Sequence, residues 1–162
     1  MKLHIVLLEP EIPQNTGNIA RSCVITGASL HLIKPMKFSI SDREVKRAGL
    51  DYWNLLDLKV YEDYEEFCSE HEGRKIYYAT TKTRRVYSDV NYGEEEEVYV
   101  MFGKESKGIP EEVLHENSDT AITIPMRQVE KARSLNLSNA CAIVMYEVLK
   151  QWGFPGMRKG DL

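Results

Sequence analysis

The sequence predicts an α/β domain with a mostly parallel β-sheet flanked by helices. Three observations predict it. Short apolar runs rich in branched residues recur along the chain, as buried strands do. Stretches with helical spacing or helix-start signals separate them, which is the alternation of βα units. Proline or glycine closes most of these segments.

Leu3 to Leu8 reads as the first strand, ended by Pro10 and Pro13. Asn15 can cap a helix that runs through Ile19, Cys23 and Val24 to Thr26, where Gly27 stops it. Leu30 to Ile33 is a second strand, closed by Pro35. Ser41-Asp42-Arg43-Glu44 has the capping-box pattern and opens a helix ending near Gly49. Leu58 to Tyr61 is a brief strand, Asp63 to His71 a short, acidic, exposed helix, and Lys75 to Ala79 another strand. Val98 to Phe102 is a strong strand that ends at Gly103. Pro110 suits the first turn of a helix reaching His115. Ala121 to Ile124 is the last strand, stopped by Pro125. From Leu137, the residues Cys141, Val144, Met145, Val148, Leu149 and Trp152 recur at three-to-four spacing. They form one apolar helical face, ended by Gly153 and Pro155.

A chain of 162 residues suits one domain spanning 1–162, and 43% apolar with 28% charged residues suits a soluble globular protein. No stretch approaches the roughly 20 apolar residues of a membrane span. The N-terminal apolar run is too short for a signal peptide, and Glu9-Pro10-Glu11 follows it with no cleavage site. A cytoplasmic protein is expected. Cys23, Cys68 and Cys141 lie far apart, and free thiols are expected. His4, His31, His71 and His115 lack ligand spacing, so no bound metal is expected.

The net charge of −4 does not advertise nucleic-acid binding, but the distribution does more than the sum. Basic residues gather in Arg43 to Arg47, in Lys82-Thr83-Arg84-Arg85, at Lys104 and Lys107, and at Arg127, Lys131 and Arg133. Taken singly, each run reads as a solvated face. Converging on one surface, they would bind phosphates.

Ligands of parallel sheets sit beyond the carboxyl ends of strands. Three stretches qualify: Ala79 to Lys82, Gly103 to Gly108, and Pro125 to Asn139. In "FGKESKGIP", Phe102 to Pro110, Gly103 allows close backbone approach, though taken alone a plain surface turn explains it slightly better. No GxxxxGK[ST] or GxGxxG fingerprint follows any strand, which disfavours an ordinary nucleotide-triphosphate or NAD site. In "EPEIPQNTGNIAR", Asn15 can be a cap and Arg21 a solvated cation, or the helix start can seat a phosphate or ribose hydroxyl. In "KARSLNLSNACAIVMYEVLKQWG", capping accounts for some of the polar residues ahead of the helix, but not for four of them.

Together, "NTGNIAR", "FGKESKGIP" and "IPM…RSLNLSNACAIVMYE" resemble the three signature motifs of the SPOUT class of RNA methyltransferases. The short length, "AGLDYW" and "ATTK" point to its minimal branch, which methylates the ribose 2′-oxygen of the wobble cytidine or uridine in leucine tRNAs. The resemblance runs almost end to end. It implies an α/β fold with a deep C-terminal trefoil knot, a homodimer, and S-adenosyl-L-methionine as cofactor, with S-adenosyl-L-homocysteine as product. Knots are almost absent from proteins, so that expectation rests on the resemblance alone. By similarity the cofactor pocket uses Ala79, Thr80, Gly103, Ile124, Met126, Ser134 and Leu135. Asn136 joins Ser134 in shaping the reaction site, while Ser138 and Asn139 satisfy backbone groups at the helix start.

The reaction implied is displacement at a sulfonium methyl, in which the protein aligns groups and manages charge. Arg21 matches the motif arginine that activates the ribose hydroxyl in relatives. A guanidinium stays protonated, so phosphate binding and alkoxide stabilisation are alternatives to a base role. Asn15 would orient Arg21 or the ribose, and Glu105 would hold the loops by hydrogen bonds. His31 lies inside a strand and reads as structural. Arg127 to Ala132 is basic and slightly long for the branch. Tyr146, Met145 and Trp152 can meet a partner's helix or fill the monomer's own core. Two rival readings remain: the same chemistry on ribosomal RNA, and a non-catalytic RNA-binding module of this fold.

Overall fold

The computed structural model describes residues 1–41, 43, 45, 47 and 52–160. Its strands are β1 Lys2–Leu8, β2 Ser29–Ile33, β3 Leu58–Tyr61, β4 Ile76–Ala79, β5 Glu97–Phe102 and β6 Ala121–Ile122. They form one sheet in the order β3-β2-β1-β5-β4-β6. Every neighbouring pair is parallel. Parallel strands need crossovers, and these carry α1 Pro13–Thr26 after β1, α2 Tyr64–Glu70 after β3 and α3 Glu111–Glu116 after β5. The helix α4 Leu137–Gln151 follows the last strand.

Alternate strand residues serve opposite faces. Leu3, Ile5 and Leu7 of β1 pack with Ile19 and Cys23 of α1 and with Val144 and Val148 of α4. Val6 and Leu8 face the other way, toward Phe67 of α2 and Val113 and Leu114 of α3. Full burial of each such aliphatic side chain contributes about 1.5–3 kcal/mol relative to exposure. Covering on both sides explains why β1, β2 and β5 read as nearly continuous apolar runs.

Several expectations are corrected. Helix α1 begins at Pro13, its N-cap residue Ile12 makes no side-chain hydrogen bond, and Asn15 is a buried residue inside the first turn. Proline at the first helical position supplies the fixed φ that starts the helix, which leaves the Asn15 side chain for other partners. Strand β6 is shorter than Ala121 to Ile124. Beyond Ile122 its neighbour changes from β4 to Val86, which bridges Thr123. Of the capping-box helix expected over 41–49, residues 43, 45 and 47 are helical with Val45 buried, and residues 42, 44, 46, 48 and 49 lie outside the described residues. His31 is buried and lies 3.0 Å from His4 and 2.8 Å from the Tyr61 hydroxyl, a structural setting.

Met145 is fully buried in its own chain's core. Trp152 is half-buried and donates its indole N–H to Tyr92 O at 2.9 Å. Of the three apolar residues considered for a partner contact, Tyr146 alone is exposed, at 45%.

Candidate functional site

The chain runs β1-β2-β3 toward one edge and then places β5, β4 and β6 on the other side of β1. The order therefore switches between β1 and β5, where loops leaving adjacent strands diverge and open a crevice. A cavity of about 400 Å³ lies on the β5 side of this switch, lined by all three loop stretches named from the sequence, after β4, β5 and β6, with Ile12 and Asn15 at the start of α1. That volume falls within the roughly 300–1,000 Å³ typical of small-molecule sites.

The loop after β5 sets one wall. Lys104 accepts the Gly108 N–H at 2.8 Å, and Gly108 turns the chain at φ 70. A Cβ on Gly103 would lie 2.1 Å from the Gly108 carbonyl carbon and 2.2 Å from Ile109 N. The glycine is thus demanded by the loop's own backbone rather than by a ligand. This closure presents Glu105 to the start of α1.

Glu105 accepts three hydrogen bonds: from Glu11 N at 2.8 Å, Ile12 N at 3.1 Å and Asn15 Nδ2 at 3.2 Å. The first two are backbone donors ahead of a helix that lacks a side-chain cap, so a residue distant in sequence satisfies them. Asn15 Oδ1 in turn accepts from Asn136 Nδ2 at 3.0 Å. Asn136 is the N-cap of α4, and its Oδ1 accepts from Ser138 N at 2.9 Å and Asn139 N at 3.4 Å. This corrects the expectation that Ser138 and Asn139 do the capping. They supply the donors, and the Ser138 hydroxyl adds a bond to Asn136 Oδ1 at 2.6 Å. Three segments far apart in sequence are thereby tied in one polar line, Glu105–Asn15–Asn136.

Ala79, Thr80, Gly103, Ile124, Met126, Ser134 and Leu135 all line the cavity, as do Asn15, Glu105 and Asn136. Arg21 does not. It is exposed on α1, with its guanidinium 5.3 Å from the centre of the Tyr52 ring. Six helical residues separate Asn15 from Arg21, about 9 Å along the axis and about 120° around it. The two side chains cannot enter one pocket from one helix.

Met126 and Leu135 are 39% and 38% exposed on the cavity's lip, an apolar surface suited to a flat ring. Lys82, Lys104, Lys107 and Arg133 add positive charge around the same opening despite the net charge of −4. Lys82 is paired with Glu111 at 2.8 Å and Lys104 with Glu9 at 2.9 Å. The hydrogen bond to Glu9 raises the Lys104 ammonium above its ordinary range. That from Ser106 holds the Glu11 carboxyl below its own.

Sequence reasoning missed Ile12, Ile109 and Ala140 among the lining residues. It also missed the contacts of Glu9 and Glu11 with the β5 loop. Two acids flanking Pro10 and a Lys-Glu-Ser run after β5 are the signal, but charge complementarity between loops shows no spacing rule.

Residues 2–146 match the SpoU rRNA Methylase family. The Escherichia coli K12 protein named tRNA (cytidine(34)-2′-O)-methyltransferase is 43% identical over 155 residues, 95% of this chain and 96% of that one. A solved structure concerned with the 2-OH methylation of C/U34 on tRNA superposes with a TM-score of 0.87 at 38% identity, covering 94% of this chain and 97% of its own. The SpoU methyltransferase AviRb of Streptomyces viridochromogenes, solved with its cofactor AdoMet, shares the fold at 21% identity and a TM-score of 0.78, covering 91% of this chain and 59% of its own.

Proposed function

We propose, from the premise that this chain belongs to the SpoU rRNA Methylase family, that it methylates the ribose 2′-hydroxyl of the wobble cytidine or uridine of leucine tRNAs. S-adenosyl-L-methionine is the donor. The observation that carries the reading is the polar line Glu105–Asn15–Asn136 along the wall of a half-apolar cavity. Near-full-length identity to the Escherichia coli relative supports nucleotide 34 of tRNA as the target.

The donor set fits the cofactor. Ile124, Met126 and Leu135 offer apolar surface to a ring system, and Ala79, Thr80, Gly103 and Ser134 offer polar groups for its edges. When bound, S-adenosyl-L-methionine supplies an electrophilic methyl group and leaves as S-adenosyl-L-homocysteine. The chain's task is alignment. Asn136 and Asn15 each keep part of their amide committed to the other, which fixes both rotamers and leaves one face of the pair for a ribose hydroxyl. Glu105 holds them without touching the reacting atoms. Arg21, outside the cavity on another face of α1, binds a substrate phosphate, and the proton of the 2′-hydroxyl leaves to solvent as the oxygen takes the methyl group. Lys107 and Arg133, at the opening, have no ion pair among the described residues and contribute to phosphate binding.

The trefoil knot belongs to this reading, over the one domain 1–162. Thr123 N donates to Arg85 O at 2.8 Å and Tyr87 N to Thr123 O at 2.9 Å, so the chain after β6 lies along the segment after β4. That contact supports a threaded C-terminus. A homodimer is part of it too, with exposed Tyr146 as a contact residue, and sedimentation tests it. The setting is the cytoplasm, where tRNA is modified; no helix among the described residues is long and apolar enough to cross a membrane. No metal takes part.

Incubation with methyl-labelled cofactor and separate pools of tRNA and ribosomal RNA tests the reading. Label is expected in tRNA ribose, and mass spectrometry should map it to nucleotide 34. Label in ribosomal RNA alone would establish the ribosomal alternative. Absence of S-adenosyl-L-homocysteine binding in calorimetry would favour a non-catalytic RNA-binding module.

A further inference from the structure

The loop after β1 and the loop after β5 are joined by more than the Glu105 carboxylate. Lys104 Nζ lies 2.9 Å from Glu9 Oε2, and the Ser106 hydroxyl donates to Glu11 Oε1 at 2.5 Å. Glu105, between them, points its carboxylate back at Glu11 N, Ile12 N and Asn15. Three successive residues of one loop therefore interlock with the other.

Glu9 is the unusual member. Its φ is 52, a left-handed conformation rare for a residue with a Cβ. It also precedes Pro10, and a residue before proline favours an extended backbone. Such a conformation persists where the surroundings over-determine it. Here they do: Glu9 N donates to Ile33 O at 2.9 Å, and its side chain is engaged by Lys104 with both partners mostly shielded, 25% and 28% exposed. The residue turns the chain out of β1 and holds the β5 loop at the same time. Neither Glu9 nor Glu11 lines the cavity, whereas Lys104, Glu105 and Ser106 do.

We propose that Glu9 is a positioning residue for methyl transfer: anchored to β2, it sets where the β5 loop sits on the start of α1. From there Glu105 reaches Glu11 N, Ile12 N and Asn15, and Asn15 meets Asn136. The claim rests on the methyltransferase reading for its consequence, though not for its geometry. A misplacement of about 1 Å near a reacting centre can cost about 100-fold in rate. Glu9 is one tie among several, so its loss is expected to cost about tenfold.

Glu9→Gln in the full chain keeps the size and removes the charge. Glu9→Gly removes the carboxylate and accommodates φ 52 without a Cβ. Four quantities are read: the single-turnover rate of methyl transfer to tRNA, the affinity for S-adenosyl-L-homocysteine, the 15N–1H resonances of Glu11 and Ile12, and the melting temperature. Both variants should lose about tenfold in rate, keep the affinity within about threefold, and shift both amides. Glu9→Gly should do so without a lower melting temperature, which a merely structural role would not allow. An unchanged rate, unmoved amides, or an affinity that falls as far as the rate each overturns the proposal. If the wild-type chain methylates no RNA, the functional reading fails, while the two amides still decide whether Glu9 places the loop.

Discussion

The side-chain amide of Asn136 donates to Oδ1 of Asn15 at 3.0 Å, joining the start of the last helix to the first turn of the first. The same Asn136 caps α4 through its oxygen. One side chain thus couples the stability of a helix to the alignment of the candidate site. Asn136→Ala should cost about 0.5–2 kcal/mol through the lost cap. That lowers the melting temperature by a few degrees. Methyl transfer should fall by more than tenfold, because Asn15 then loses its orienting partner. A rate loss no larger than the stability change explains would refute the coupling. Thermal melts and single-turnover assays on one preparation give both numbers.

Gly103 is fixed by sterics. Its added Cβ would stand 2.1 Å from the backbone of Gly108, a contact that no rotamer change relieves. Gly103→Ala should force the β5 loop open, cost about 1–3 kcal/mol in overpacking, and weaken S-adenosyl-L-homocysteine binding by at least tenfold in calorimetry. Wild-type affinity in this variant would mean that the loop does not form the cofactor wall.

Arg21 should behave in the opposite way. It lies outside the cavity lining and is stacked on Tyr52, so Arg21→Ala leaves the cofactor's contacts in place. S-adenosyl-L-homocysteine affinity should stay within about twofold, while methyl transfer drops by about 100-fold through loss of a phosphate contact that positions the substrate. Lys at this position should recover little, since a point charge lacks the guanidinium's fork. A collapse of cofactor affinity would remove Arg21 from the substrate side.

Much of this architecture can be read from local pattern. The apolar runs locate β1, β2 and β5 to within a residue, because strands buried on both faces carry an unbroken signal. The end of β6 escapes that reading. Thr123 and Ile124 look as strand-like as Ala121, but their neighbour is no longer β4, and nothing local records a change of partner. Local pattern does not settle the start of α1, because Pro13 and Asn15 are both start signals, two residues apart, and the proline takes precedence. Met145 shows the limit of periodicity: an apolar helical face says that something covers it, and here that is the chain's own core. The interlock of Glu9 and Lys104 is a tertiary fact with a strained backbone behind it, invisible to spacing rules. The motif resemblance reached the cavity residues because those loops keep their order and spacing when strand geometry is unknown.

The buried histidines make the fold acid-sensitive. His4 Nδ1 lies 3.0 Å from His31 Nε2, His31 Nδ1 lies 2.8 Å from the Tyr61 hydroxyl, and that hydroxyl lies 2.9 Å from His71 Nε2. Neutral rings satisfy this row with one proton per link; His4 Nε2, outside the row, has no hydrogen-bond partner among the described residues and lies 3.6 Å from Glu97, so the cost of an added proton is the burial of its charge. Burial lowers His4 from 6.5 to about 4, against the opposing pull of Glu97 and with help from Lys2 and His71. It lowers His31 to about 3, with His4, His71 and Lys59 adding repulsion and Asp57 opposing. In the unfolded chain both rings titrate near 6.5. Below that pH the unfolded state binds more protons than the folded one, so stability falls as pH falls and is restored as pH rises through 6.5. At pH 5 the pair should cost about 4 kcal/mol relative to pH 7.5, since each ring forgoes protonation over about 1.5 pH units at about 1.4 kcal/mol apiece. Urea unfolding at the two pH values measures this. A midpoint that does not move between them would show that the rings protonate freely in the folded protein and that the row is open to solvent.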